Sequence, residues 1–107
     1  MLIPVGLDNF ETEVLNAKGL VLVDFWSPTC GPCELLNMVL EELAKDLKDQ
    51  VKIVKVNVDK EIALADAQRI IIMPTLKIFK NGESVKDVFG VQSKDDLKAI
   101  IKTLSHN

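Results

Sequence analysis

The chain is poor in sulfur and in rings. Its 107 residues include two Cys, one Trp, four Phe and no Tyr. Two cysteines cannot build the set of bridges that holds small secreted domains together. A chain of this length can bury roughly two thirds of its unfolded surface, so it does not need such a framework. Basic charge is not in excess either: 13 Lys and Arg stand against 16 Asp and Glu. That balance argues against the basic stripe of a nucleic-acid binder. No apolar run approaches the roughly 18 residues of a membrane span. The longest, Gly19 to Trp26, is interrupted by Asp24. Met1-Leu2-Ile3-Pro4 carries no basic region ahead of an apolar stretch, so no signal peptide is expected. The reducing cytosol is then the expected compartment. There is no repeat, low-complexity run or linker, and one domain over residues 1–107 is expected.

What is present is an alternation of strand-like and helix-like apolar spacing. Leu2 to Val5 reads as a short strand, with Pro4 placing it at an edge. Asp8 followed by Glu11 reads as a capping box, opening a helix with Phe10, Val14 and Leu15 on one face and Gly19 at its stop. Leu20 to Trp26 is nearly all apolar, the pattern of a strand buried on both faces. A long helix follows to about Lys48, with Leu36, Val39, Leu40, Leu43 and Leu47 at helical spacing. Val51 to Val58 is another strand, and Asp59 can cap a helix to about Arg69. Leu76 to Phe79 and Glu83 to Phe89 are strands joined by the Asn81-Gly82 turn. Ser93 caps a last helix carrying Leu97, Ile100, Ile101 and Leu104. The order β-α-β-α-β-α-β-β-α demands parallel pairs early and an antiparallel hairpin late. The expected architecture is α/β: a central five-stranded mixed β-sheet flanked by four helices.

Cys30-Gly31-Pro32-Cys33 stands where the buried strand hands over to the long helix. A helix N-terminus offers free N–H groups and the positive end of the dipole, both of which stabilise a thiolate. Cysteines three apart on a first turn can bond or part with little backbone movement. Gly31 permits the tight entry, and Pro32 suits a first helical turn. Half of a zinc site is one alternative, but it needs about four ligands and the only other soft one is His106. A structural bridge is another, but it would close a very short loop and add little. The redox-active dithiol is favoured over both. Asp24 supports that choice, its buried reading being favoured over the outward one. An Asp inside Gly19–Trp26 is either turned outward or capping a turn, or is a buried carboxyl with a raised pKa beneath the cysteine loop. In the second case it can take a proton from Cys33. Pro74, between Met73 and Thr75, is by base rate an ordinary trans proline opening a strand.

The segment Val23-Asp24-Phe25-Trp26-Ser27-Pro28-Thr29-Cys30-Gly31-Pro32-Cys33 resembles the active-site segment of the thioredoxin family. The likeness continues in Lys55-Val56-Asn57-Val58-Asp59, Met73-Pro74-Thr75, Phe79-Lys80-Asn81-Gly82-Glu83 and Gly90, in order and over essentially the whole chain. It implies a thioredoxin fold and a protein-disulfide reductase. Cys30 would be the exposed nucleophile, Cys33 the resolving thiol, and Asp24 the buried proton-transfer group with Lys55 as its neighbour. Pro74 would be cis and pack against the cysteines, and the backbone of Met73 would pair with an extended substrate segment. Trp26, Gly31, Pro32 and Gly90 would complete the substrate face. The partners implied are disulfide-containing proteins and a thioredoxin reductase as electron source. No bound cofactor or metal, no nucleic acid and no membrane are implied, and a monomer is the default.

Three residues depart from the family pattern. Thr29 stands where Trp usually precedes the first Cys, which bears on partner range, and Pro28 beside it should stiffen the loop. Glu34 stands where Lys or Arg is common, and its charge disfavours the Cys30 thiolate. Met38 replaces a helix-kinking Pro and is expected to fill core. A general protein-disulfide reductase is the leading reading. A dedicated donor to one partner and a non-catalytic interaction module are the alternatives.

Overall fold

A computed structural model describes residues 2–106. Leu20–Trp26 forms β2, and its alternation explains the layers on both sides of it. Leu20 and Leu22 face a cluster containing Leu36, Leu40, Leu43, Leu97 and Ile101. Val21, Val23 and Phe25 face the other way, toward Phe10, Val14 and Leu64. A strand buried on both sides has to be apolar at every position, and full burial of each such side chain contributes about 1.5–3 kcal/mol. Asp24 is the one ionisable residue that this strand buries.

Around β2 lie β1 (Ile3–Pro4), β3 (Lys52–Asn57), β4 (Thr75–Lys80) and β5 (Glu83–Phe89), in the order β1-β3-β2-β4-β5. The first three are mutually parallel, while β4 runs antiparallel to β2 and to β5. Helices α1 (Gly31–Asp46) and α3 (Lys94–Ser105) cover one face. Helix α2 (Ile62–Ala67) and a π-helical segment, Glu11–Leu15, cover the other. Among the described residues this is the expected five-stranded mixed sheet with four flanking helical segments. Phe10 meets Phe79 edge-on, with ring centroids 5.9 Å apart, and so ties the π-helical segment to β4. The Asn81-Gly82 turn has both residues at positive φ, 50° and 86°, as a two-residue hairpin of this type requires. Ser93 caps α3 as expected, accepting from Asp96 N–H at 3.0 Å.

Several local expectations are corrected. No capping box forms at Asp8 and Glu11: Phe10 is the N-cap and no side chain caps it. The entry turn is closed instead by Asn9 Oδ1, which accepts from Gly6 N–H at 2.7 Å. The segment winds with an i to i+5 bond, Asn16 N–H to Glu11 O, and this wider turn leaves Leu15 exposed while Val14 is buried. Asp59 does not cap α2; Glu61 occupies the N-cap without a side-chain bond. That helix ends at Ala67, and Arg69 beyond it sits at φ 57°. Met38 does not fill core, being 65% exposed.

Candidate active site

Strand β2 ends at Trp26 and the chain turns over Ser27–Thr29 into α1. Cys30 is the N-cap of that helix. Its sulfur accepts the backbone N–H of Cys33 at 3.2 Å, and Pro32 fills the first turn. A helix start leaves backbone N–H groups without intrahelical partners. Here one of them points at a sulfur. Cys30 and Cys33 are disulfide-bonded, with Cα atoms 5.3 Å apart. Cys30 is half-buried, whereas Cys33 is only 2% exposed. The two sulfurs therefore differ: one is offered to solvent at a dipole end, the other is held behind it.

Asp24 is the buried carboxyl of the two alternatives. It is 1% exposed, and its Oδ1 finds no hydrogen-bond partner. Strand alternation puts it on the face that α1 covers, the helix that carries Cys33. Burial pushes its carboxyl from 3.8 up to about 7, and the Lys55 charge opposes that rise. Lys55 is its register partner across β2 and β3. The ammonium of Lys55 also lies 5.1 Å from the Trp26 ring centroid, within cation–π range. Trp26, Cys33 and Lys55 line one hollow of about 350 Å³, together with Pro28, Glu34 and Met38. A larger hollow, about 510 Å³, lies at the opposite end of β2 beside Leu20 and Lys48. No cysteine lines it. Exchange between protein disulfides needs an accessible sulfur on a docking face rather than a deep cavity.

The Met73–Pro74 peptide bond is cis, and Pro74 is buried. Strand β4 starts at Thr75, which pairs with Phe25 one residue before Trp26. Pro74 thus falls at the same end of the sheet as the dithiol. Thr75 Oγ1 donates to Ile72 O, and Gly90 N–H donates to Pro74 O at 3.0 Å, so the loops flanking Pro74 are closed onto each other. Gly90 has φ 78°, and a Cβ built there would meet nothing within 4 Å. Its backbone demands glycine, while the space above it is open. Met73 is exposed beside it. Among the described residues no group of three or more His, Cys, Asp or Glu could hold a metal ion, and no helix is long and apolar enough to cross a membrane.

Sequence reasoning assigned no role to Ser27 and only a cap to Asp59. The structure joins them: Ser27 is buried and its hydroxyl donates to Asp59 Oδ2 at 3.2 Å. The available signal was a hydroxyl residue between Trp26 and Pro28, where no helix needed capping.

Glu34 is exposed on the first turn of α1, one residue after Cys33. Replacing it by Lys puts a positive charge beside the sulfurs. Glu34→Lys is expected to lower the Cys30 thiol pKa by roughly 0.2–0.7 pH units, the size of a helix-terminus charge effect. Thiolate absorbance against pH reads this, and an unchanged or raised value would sink it.

A cysteine pair at the N-terminus of a helix that follows a buried strand, with a buried carboxyl in that strand, defines a dithiol–disulfide exchange site. The family model described as Thioredoxin matches residues 2–103. Thioredoxin 1 of Synechococcus elongatus is 47% identical over 88 residues, covering 82% of each chain. The thioredoxin of Griffithsia pacifica is 44% identical over 86 residues, covering 80% of this chain and 79% of its own. That of Rickettsia felis is 40% identical over 89 residues, covering 83% and 85%. The chain belongs to the thioredoxin family. It is a thiol–disulfide oxidoreductase of the protein-disulfide reductase type, acting on disulfide-containing targets.

Proposed function

We propose that residues 1–107 are a single thioredoxin domain in which Cys30 is the nucleophile and Cys33 the resolving thiol. The observation that carries this is the Cys33 N–H bond to Cys30 Sγ, on the half-exposed member of the pair. In the reduced protein the Cys30 thiolate attacks one sulfur of a target disulfide. A mixed disulfide forms, and the other target sulfur leaves as a thiolate. Asp24 then takes the proton of Cys33, whose thiolate attacks Cys30 Sγ and expels the second target sulfur as a thiolate. Two electrons pass to the target, and the Cys30–Cys33 disulfide remains. Lys55 tunes Asp24 by its charge. Trp26, Gly31, Pro32, Met73, Pro74 and Gly90 form the face on which the target segment lies. A thioredoxin reductase restores the dithiol. The protein works as a cytoplasmic monomer, without bound cofactor, metal, nucleic acid or membrane.

Equilibration against glutathione or dithiothreitol, followed by emission of the lone Trp26, tests the direction of electron flow. A strongly reducing potential is the expected result, and a strongly oxidising one would overturn the reductase reading. Thr29 and Glu34, both exposed beside Cys30, favour a second reading, a donor dedicated to one partner. Rapid reduction of unrelated protein disulfides, insulin among them, would argue against it.

A further inference from the structure

The turn that delivers Cys30 is held by side chains whose bonding has a fixed direction. Ser27 is 4% exposed, and its hydroxyl donates to Asp59 Oδ2 at 3.2 Å. Ser27 Oγ also accepts the Thr29 N–H at 3.3 Å and lies 3.2 Å from Thr29 Oγ1. A serine hydroxyl carries one proton, and Asp59 takes it. The Thr29 hydroxyl must therefore donate to Ser27. The chain runs from the Thr29 hydroxyl through the Ser27 hydroxyl to the Asp59 carboxylate. In the same turn the Cys30 N–H donates to Ser27 O at 3.2 Å. Asp59 is itself fixed, because Asn57 Oδ1 accepts from the N–H groups of Asp59 at 3.0 Å and Lys60 at 3.3 Å. The turn before α1 is thus anchored to the turn after β3. Pro28 removes a further freedom by fixing φ.

Thr29 has no ring with which to pack over this turn, so the hydrogen bonds take that task. They also hold the Thr29 hydroxyl toward Ser27. We propose that Ser27 and Thr29, anchored on Asp59, are positioning residues that hold the turn so that Cys30 Sγ meets a docked protein disulfide. This rests on Cys30 being the nucleophile. It adds how the chain aims that sulfur without an aromatic residue before it.

The test compares Thr29→Val, which keeps the shape and loses the hydroxyl, with Thr29→Ser, which keeps the hydroxyl. Ser27→Ala removes the central link. The rate of insulin reduction by the pre-reduced protein is expected to fall roughly 3- to 10-fold in Thr29→Val and in Ser27→Ala, the ratio one hydrogen bond is worth. Thr29→Ser should restore the rate. Reaction with a small aromatic disulfide, which needs no docking, should change little. The double variant Ser27→Ala with Thr29→Val should be no slower than the slower single one, because both break one chain. Equal rates for Thr29→Val and Thr29→Ser, or additive losses, overturn the proposal. So does a parallel fall with both disulfides alongside a lower Tm, which would mark a merely structural role. The attachment site of insulin in Cys33→Ser checks the nucleophile separately. If insulin is not on Cys30, the reading of the site fails, whatever the positioning variants do.

Discussion

Cys30→Ser is expected to reduce protein disulfides no faster than dithiothreitol alone, whereas Cys33→Ser should bind its target covalently and stop. The asymmetry follows from where the two sulfurs sit. Cys30 is half-exposed and accepts a backbone N–H at a helix start, so its thiolate is both stabilised and reachable. Cys33 is 2% exposed and can meet only a sulfur already attached to Cys30. Without Cys33, the first exchange still proceeds and the second cannot. The mixed disulfide then accumulates with a mass of protein plus target, and added dithiothreitol releases it. Insulin turbidity reads the loss of turnover in both variants, and peptide mapping without reductant reads the attachment site. Attachment to Cys33 in Cys30→Ser at a comparable rate would reverse the roles. Full turnover by Cys30→Ser would favour the interaction-module alternative.

How much of this was legible in the sequence depended on whether the governing physics was local or distant. Strand β2 was read at both ends, because a strand buried on two faces has to be apolar throughout. Strand β5 was bounded by the Asn81-Gly82 turn, whose backbone chemistry is equally local. The caps at Asp8 and Asp59 failed for a distant reason. A carboxylate near a helix start is a candidate acceptor, but the donor that reaches it depends on the fold. Asp59 meets Ser27, which is 32 residues away in the sequence. Met38 is a different case, since the reading conflicted with the helical period itself. At about 100° per residue it lies roughly 200° from Leu36, opposite the buried face. The site followed the same division. The dithiol and its helix start were readable from spacing. A buried Asp24 was readable too, because a strand buried on both faces leaves its Asp no outward side, and the residue is 1% exposed.

Asp24 gives the second large effect, and its sign depends on pH. In the folded chain burial holds the carboxyl at about 7, while in the unfolded chain it titrates near 3.8. Between those values the folded state keeps a proton that the unfolded state has lost, so stability falls as pH rises and levels off above about 7. Three pH units at about 1.36 kcal/mol each put the loss on the order of 4 kcal/mol. Asp24→Asn removes the charge and keeps the shape. It is expected to be more stable than the parent at pH 8, on the order of 3 kcal/mol, and nearly equal to it at pH 4. Urea unfolding of the oxidised proteins at the two pH values measures this. Turnover should move the opposite way. Without a base beside Cys33, resolution of the mixed disulfide is expected to slow roughly 10²-fold at neutral pH, the lower end of what a positioned base supplies. The gain in stability and the loss of turnover share one cause. A carboxyl buried without a partner for Oδ1 is costly to ionise, and that cost brings its pKa to about 7, so near neutrality both forms are populated and the ionised one can take a proton from a thiol. Equal stability at pH 8, or undiminished resolution, would leave Asp24 as an ordinary core residue.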